Sequence, residues 1–400
     1  MAAQTSVVVV SHDPGSWLAT CLASVADQAD EVLVVDNGSP DEGVSRIAKG
    51  VGARCVRSSV NTGFATGANL GVAQARGEII ALLNDDAVAG ENWIDGSRAE
   101  LERNGDIAAV IPKLLLARRY AEILFDDRPH WADGDPRPLG RRIFSITVGG
   151  TEQLPAAVGP GLHRPERGPA GQPNWRWTTG PEPIYVPLPD GDAIDLAVNG
   201  QTVEPRAVVD LVNNAGSYLS QLGYGGDYGN QTPDRGAFNR ARDCFAASGA
   251  ALVTTRDIIR RIGRFAGYFF LYYEDTDWSW RAQLAGMRIR YEPRLVVRHL
   301  KGATTGGERN ARVQFCAARN RLLMLTRNAP LPIVARELRA ASYQESWPLI
   351  RRSVVKRSPQ ALAQRWQLTR CWHRSPDEVW RQWAGVDERW PLSGAAEDVL

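Results

Sequence analysis

Four hundred residues, 44% of them apolar and 23% charged, with thirteen tryptophans, describe a chain that folds around substantial cores and exclude a disordered protein. A net charge of only +2 excludes a nucleic-acid binder that works through overall charge. Five scattered cysteines without a C-x-x-C pair exclude a metal knuckle and a disulfide framework, and fit a reduced, cytoplasmic compartment.

The chain opens as a strand at once, with no secretory-leader pattern and no apolar run of about 20 residues. Residues 6–10 are a β-branched run of the kind buried on both faces of a sheet, and residues 17–26 follow with helical spacing. A second buried strand at 31–35 ends in the polar cluster Asp36-Asn37-Gly38-Ser39-Pro40-Asp41. Helix at 44–49, strand at 54–58, a glycine-spaced segment at 61–71 and strand at 79–83 complete an α/β alternation, which predicts a mostly parallel sheet flanked by helices. Ligands in such sheets bind beyond the carboxyl ends of the strands, where the cluster at 36–41 and Asn84-Asp85-Asp86 both fall. Hard oxygen donors there suit Mg²⁺ or Mn²⁺, although Asn and Asp are also ordinary turn formers. The glycines at 63, 67 and 71 lack the spacing of a dinucleotide-binding turn. They either relieve helix-on-sheet packing or let the backbone approach a diphosphate.

Composition shifts between about 126 and 210, where Pro and Gly crowd around short β-type runs at 142–148, 175–178, 183–188, 193–198 and 201–203. The pattern predicts a small inserted β-unit. Trp175 and Trp177, two residues apart on one strand face, form either core or a stacking platform for a sugar. The parent domain resumes near 212, with a small-residue strand at 246–253 and a helix at 256–263. An aromatic run at 268–273 then reads as a strand that feeds the acids Glu274, Asp275 and Asp277 at the start of a helix ending before Gly286. Acids in a first helical turn oppose the macrodipole, but capping needs one and this stretch crowds three, as a reaction centre would. A further strand at 291–297 ends at His299.

From 309 to 374 fourteen Lys/Arg stand against two acids, interleaved with Leu, Ile, Val and Trp. This is either an amphipathic region for an anionic membrane surface or a set of helices packed on the catalytic domain.

Taken in order, 7–12, 34–39, 61–71, 82–86, 248–251, 269–277 and His299 resemble glycosyltransferase family 2, the inverting GT-A enzymes, and within it the bacterial rhamnosyltransferase-like branch. The resemblance covers roughly 5–125 and 212–328. It implies an α/β GT-A fold divided into a nucleotide-sugar part (1–125), the β-rich insert (126–211), an acceptor and catalytic part (212–328) and a basic helical extension (329–400). It further implies that Ser11, Asp36, Asn37, Asn69, Asn84 and Asp85 line the nucleotide sugar and that Asp86 and His299 hold Mn²⁺ or Mg²⁺. Asp275 would then be the general base with Glu274 beside it, and Asp277 and Trp278, with the insert's Trp175 and Trp177, would meet the acceptor.

The implied reaction is sugar transfer from a nucleoside-diphosphate donor, dTDP-rhamnose or a UDP-sugar, to a cell-envelope glycan or lipid-linked acceptor. The implied location is the cytoplasm, at the cytoplasmic face of the membrane. A non-catalytic carbohydrate-binding scaffold on the same fold is the rival, to which Asn84 in place of an acid lends support.

Overall fold

The structure is a computed structural model, and it describes residues 4–168, 174–189, 194–300, 310–344 and 347–385. The chain forms two compact units. The first takes residues 1–115, 213–229 and 236–400, and the second takes 116–212 and 230–235. The expected insert therefore begins ten residues early. The extension expected from 329 belongs to the same unit as the acids.

In the first unit, β1 (Thr5–Ser11), β2 (Glu31–Asn37), β3 (Arg54–Ser58) and β4 (Ile79–Asn84) pair in parallel, in the order β3-β2-β1-β4. The crossover helices are α1 (Trp17–Val25), α2 (Gly43–Gly50) and α3 (Phe64–Gln74). The apolar faces of α1 and α2 meet Val7, Val9 and Val34 in one large core, and α3 packs on the other face, against Val8, Val10 and Val35. The close approach of α3 needs its glycines, since a Cβ at Gly71 would stand 2.2 Å from a Val8 methyl carbon and one at Gly67 would stand 2.7 Å from a methyl of Val10.

Beyond β4 the sheet turns antiparallel. Strand Ala251–Thr255 joins β4, and strand Arg288–His299 pairs with the short β5 (Ala87–Ala89). The sheet is mixed where the sequence suggested mostly parallel. It also contains β6 (Ile107–Ile123), a 17-residue strand that the pattern concealed behind Pro112 and Lys113. Helix α4 (Trp93–Arg103) packs on the strand Arg288–His299, and α5 (Arg256–Ile262) follows Ala251–Thr255 with Thr255 as N-cap.

The aromatic run at 268–273 is not a strand. It is a 3-10 turn, Gly267–Phe269, followed by Phe270, Tyr272 and Tyr273 at φ 68°, 68° and 70°. Helix α6 (Glu274–Leu284) then runs buried on nearly all sides. Helices α7 (Ala311–Asn328), α8 (Leu331–Ala341), α9 (Trp347–Leu368) and α10 (Pro376–Trp383) cover it. Trp280 of α6 stacks on Trp380 of α10 at 6.0 Å, within a core that also holds Leu323, Met324 and Leu325.

The second unit has its own core of Ile123, Ile143, Ile146, Ile184, Val186 and Leu196, with small antiparallel ladders. Among the described residues, no helix is long and apolar enough to cross a membrane.

Candidate active site

The ends of β1, β2 and β4 bring the first set of expected residues to one edge of the parallel sheet. Ser11 Oγ donates to Asp85 Oδ2 at 2.7 Å, and both residues are buried. Asp36 is fully buried. Its Oδ1 accepts from the Ser39 N–H at 2.9 Å, while Oδ2 lies 3.3 Å from Arg57 Nε without hydrogen-bond alignment. That oxygen has no hydrogen-bond partner, and Arg57 is the cation beside it.

Two expected nucleotide contacts have other work. Asn37 accepts from the N–H and hydroxyl of Thr62 and donates to the Gly63 carbonyl, so its amide holds the 61–63 turn. Asn69 is doubly bonded to the Phe265 main chain, at 2.9 and 3.0 Å. One N–H and one lone pair of the Asn69 amide are thus taken up by the main chain, and Asn69 pins α3 to the 265–270 segment.

Asp86 and His299 come together as expected, with Oδ1 and Nε2 3.1 Å apart and both side chains almost wholly buried. Asn84 Nδ2 lies 3.3 Å from the same Nε2. His299 Nδ1 is 2.8 Å from Asn213 Oδ1. An amide oxygen only accepts, so Asn213 fixes the proton on Nδ1 and leaves the Nε2 lone pair directed at Asp86. A lone pair facing a carboxylate oxygen is repulsive unless a proton or cation lies between them. The 3.1 Å separation also matches an octahedral edge of about 3.0 Å for oxygen and nitrogen ligands at roughly 2.1 Å. An oxygen and an imidazole nitrogen so placed would suit a divalent cation by donor type. Among the described residues there is no cluster of three or more His, Cys, Asp or Glu.

The acids of α6 divide sharply. Asp275 is half-buried; its Oδ2 accepts from the Gly249 N–H at 2.7 Å and its Oδ1 from the Thr276 N–H at 2.6 Å. Burial raises its pKa above the usual carboxylate value, against those hydrogen bonds, and Asp227 adds to the rise. A Cβ at Gly249 would stand 3.3 Å from Asp275 Oδ2, so the glycine lets that loop come close. Glu274 is 5% exposed, its Oε2 has no hydrogen-bond partner, and burial together with Asp275 and Asp277 pushes its pKa up to about 8.

Asp277 and Trp278 do not meet an acceptor. Asp277 is wholly buried between Arg281 Nε (3.1 Å) and Arg327 Nε (2.7 Å), with Asn328 Nδ2 at 2.8 Å. Trp278 is 1% exposed and packs against Phe265. The helical period explains the split: residues two apart point about 200° apart, so Asp277 turns inward where Asp275 turns out.

In the second unit, Trp175 and Trp177 are half-buried and share one guanidinium, with Arg142 lying 5.3 and 4.5 Å from their ring centres. One ring face of each is therefore covered by a cation.

Residues 6–114 match the family model for glycosyl transferase family 2. Over 306 residues, 75% of this chain and 77% of the relative, the sequence is 26% identical to an N-acetylglucosaminyl-diphospho-decaprenol L-rhamnosyltransferase of Mycobacterium tuberculosis. A TPR repeat-containing protein of Synechococcus elongatus is 33% identical over 110 residues, 27% of each chain. Among solved structures, GalNAc-T7 with UDP, GalNAc and Mn²⁺ superposes with a TM-score of 0.54 at 13% identity, covering 95% of this chain. The chain therefore has a GT-A-like fold, and its residues 6–114 resemble glycosyl transferase family 2. It spans 56% of the GalNAc-T7 chain and about a quarter of the Synechococcus relative.

Sequence reasoning missed Asn213, which orients His299, and Arg319, Asn320 and Arg327 of α7. The available signal was polar residues in the middle of a helix, where Asn in particular is a poor helix former.

Proposed function

We propose that the protein is a metal-dependent inverting glycosyltransferase that moves rhamnose from dTDP-rhamnose to a lipid-linked or envelope glycan acceptor. The observation that carries this reading is the Asp86–His299 pair, with His299 oriented by Asn213. Mn²⁺ or Mg²⁺ held there supplies charge neutralisation to a diphosphate leaving group. Asp36 Oδ2 receives a donor group of the base. Asp275 takes the proton of the acceptor hydroxyl as its oxygen forms the new bond to the anomeric carbon and the bond to the diphosphate breaks. Desolvation makes Asp275 a stronger base than a solvated carboxylate. Rhamnose is favoured by the mycobacterial relative's specificity, and a UDP-sugar is the second reading, favoured by the UDP of GalNAc-T7.

The decisive assay is transfer from dTDP-rhamnose and from UDP-sugars with Mn²⁺ present. Asp275→Asn is expected to lose about 10²- to 10⁴-fold in turnover while donor binding stays within a factor of about two. Asp86→Ala is expected to weaken both Mn²⁺ and donor binding, read directly by titration. Turnover above about a tenth of the parent in Asp275→Asn would remove the base assignment. Donor binding without any turnover in the parent protein would favour the carbohydrate-binding scaffold.

We also propose that the protein works at an anionic membrane surface through the outer face of α9. Pro348, Val355, Pro359, Leu362 and Trp366 form an exposed stripe there, beside exposed Arg351, Arg352 and Lys356.

A further inference from the structure

The segment that delivers the two acids is held in an unfavourable conformation. Phe270, Tyr272 and Tyr273 all have φ near 70°, a region that costs an aromatic residue roughly 1–2 kcal/mol. Tyr273 is also the N-cap of α6 and supplies no side-chain cap. Such a segment persists only where its surroundings over-determine it.

Two adjacent side chains of α7 do so. Asn320, completely buried, places Nδ2 within hydrogen-bond reach of the carbonyls of Phe269 (2.9 Å), Leu271 (2.9 Å) and Tyr272 (2.8 Å), which share its two N–H donors. Arg319 Nη2 donates to the carbonyls of Tyr268 (3.1 Å) and Phe269 (2.7 Å). Arg319 Nε in turn donates to Asn320 Oδ1 at 2.9 Å, so the two side chains brace each other. An amide in the middle of a helix forgoes helix propensity, and here it instead satisfies the carbonyls of a segment with no regular partner. The bracing ends at the Tyr272 carbonyl, two residues before Glu274 and three before Asp275. On the other side, Asp275 is held by the Gly249 N–H. The carboxylate thus has two independent anchors, the main chain at 249 and the Arg319–Asn320 brace.

We infer that Arg319 and Asn320 are positioning residues of the transfer reaction, setting where the Glu274–Asp275 pair meets the acceptor. The inference rests on the assignment of Asp275 as base. A displacement of about 1 Å at such a group costs on the order of 10²-fold in rate, so the effect should greatly exceed any loss of folded protein.

The test uses the full chain with Asn320→Ser, whose short hydroxyl supplies one donor in place of the amide. Turnover is expected to fall about 10²-fold, nucleotide affinity to stay within a factor of about two, and the acid limb of the pH–rate profile to move, because the surroundings of Asp275 change. Combining Asn320→Ser with Asp275→Asn should be no worse than Asp275→Asn alone, as expected of residues that act as one unit. If Asn320→Ser folds poorly, Arg319→Lys keeps the charge, removes the fork, and should show the same signature at about tenfold. Multiplying losses in the double variant, or an unmoved pH profile with turnover falling only in step with folded protein, would reduce the pair to a structural role. Retained transfer in Asp275→Asn would instead overturn the base assignment and this inference with it. An inactive Asp275→Asn beside an unaffected Asn320→Ser would remove the positioning role alone.

Discussion

The first 115 residues and the helices after 310 use polar side chains in opposite ways. In the parallel sheet, Asp36, Asp85 and Asp86 follow buried strands and reach one edge, because topology sends every carboxyl end the same way. In the second half of α7 the polar residues are turned inward. Arg319, Arg321 and Arg327 are all buried, Arg321 on Glu337 at 2.9 Å and Arg327 on Asp277 at 2.7 Å. Strand order fixes an edge, whereas helical spacing fixes a face without saying which face is covered. A count of basic residues therefore describes a surface only where the face is known.

The largest expected effect comes from breaking the inward use of charge. Asp277→Asn keeps the shape of the side chain and removes the charge that Arg281 and Arg327 share inside the protein. Removing one partner of a buried pair costs about 3–5 kcal/mol, because the remaining charges stay desolvated. A thermal or denaturant melt is expected to show that loss, with the surviving folded protein still transferring sugar. Asp275→Asn should give the mirror image, an intact melt and lost turnover. Equal behaviour of the two variants would erase the distinction between an inner and an outer acid.

A smaller effect tests Glu274, the buried acid that precedes both. Its pKa is raised from 4.5 to about 8, burial being the main cause. In the unfolded chain this acid ionises near 4.5, so between there and about 8 the folded state holds a proton that the unfolded state has lost. Stability contributed at low pH therefore fades as pH rises through that window, by on the order of a few kcal/mol. Glu274→Gln is expected to flatten that part of the stability curve and to melt higher than the parent near pH 8. A difference curve without slope between pH 5 and 8 would show that Glu274 is ionised when folded.

The sequence made the left half of the sheet legible because alternation and strand ends carry their own geometry. The Asp86–His299 pair was readable only through the family resemblance, since the two lie 213 residues apart. Asn213 is the next-to-last residue of the strand Ala207–Asn214, where its amide reaches His299, and nothing in its local sequence marks that contact. The run at 268–273 misled because aromatic residues favour strands, and no local signal shows that two side chains some fifty residues later will satisfy its carbonyls. Asp277 misled for a related reason. Crowding in sequence is not crowding in space when the helix turns 100° per residue.

The smallest effect belongs to α9, where several basic residues face outward. Helix α9 has five basic residues and no acid. Arg365 turns in to the carbonyls of Thr326 and Ala329, and Trp347 packs beside Ile350 and Val354, so neither is available to a membrane. Outside stand Val355 (67% exposed), Leu362 (48%) and Trp366 (67%), spaced 7 and 4 residues apart on one stripe, with Arg351, Arg352 and Lys356 also exposed. Each cation near an anionic leaflet contributes about 1 kcal/mol and the inserted stripe adds its apolar area. Cutting the chain after Asn328 would strip the core that α9 and α10 cover, so point changes are the cleaner probe. Leu362→Ser with Trp366→Ser is expected to lower partitioning onto vesicles rich in anionic lipid by about tenfold at low salt, with the melt unchanged. The parent should itself be released as ionic strength rises and the Debye length shortens. Equal partitioning of parent and variant would mean that this face does not dock and that the basic residues of α9 are a solvated surface.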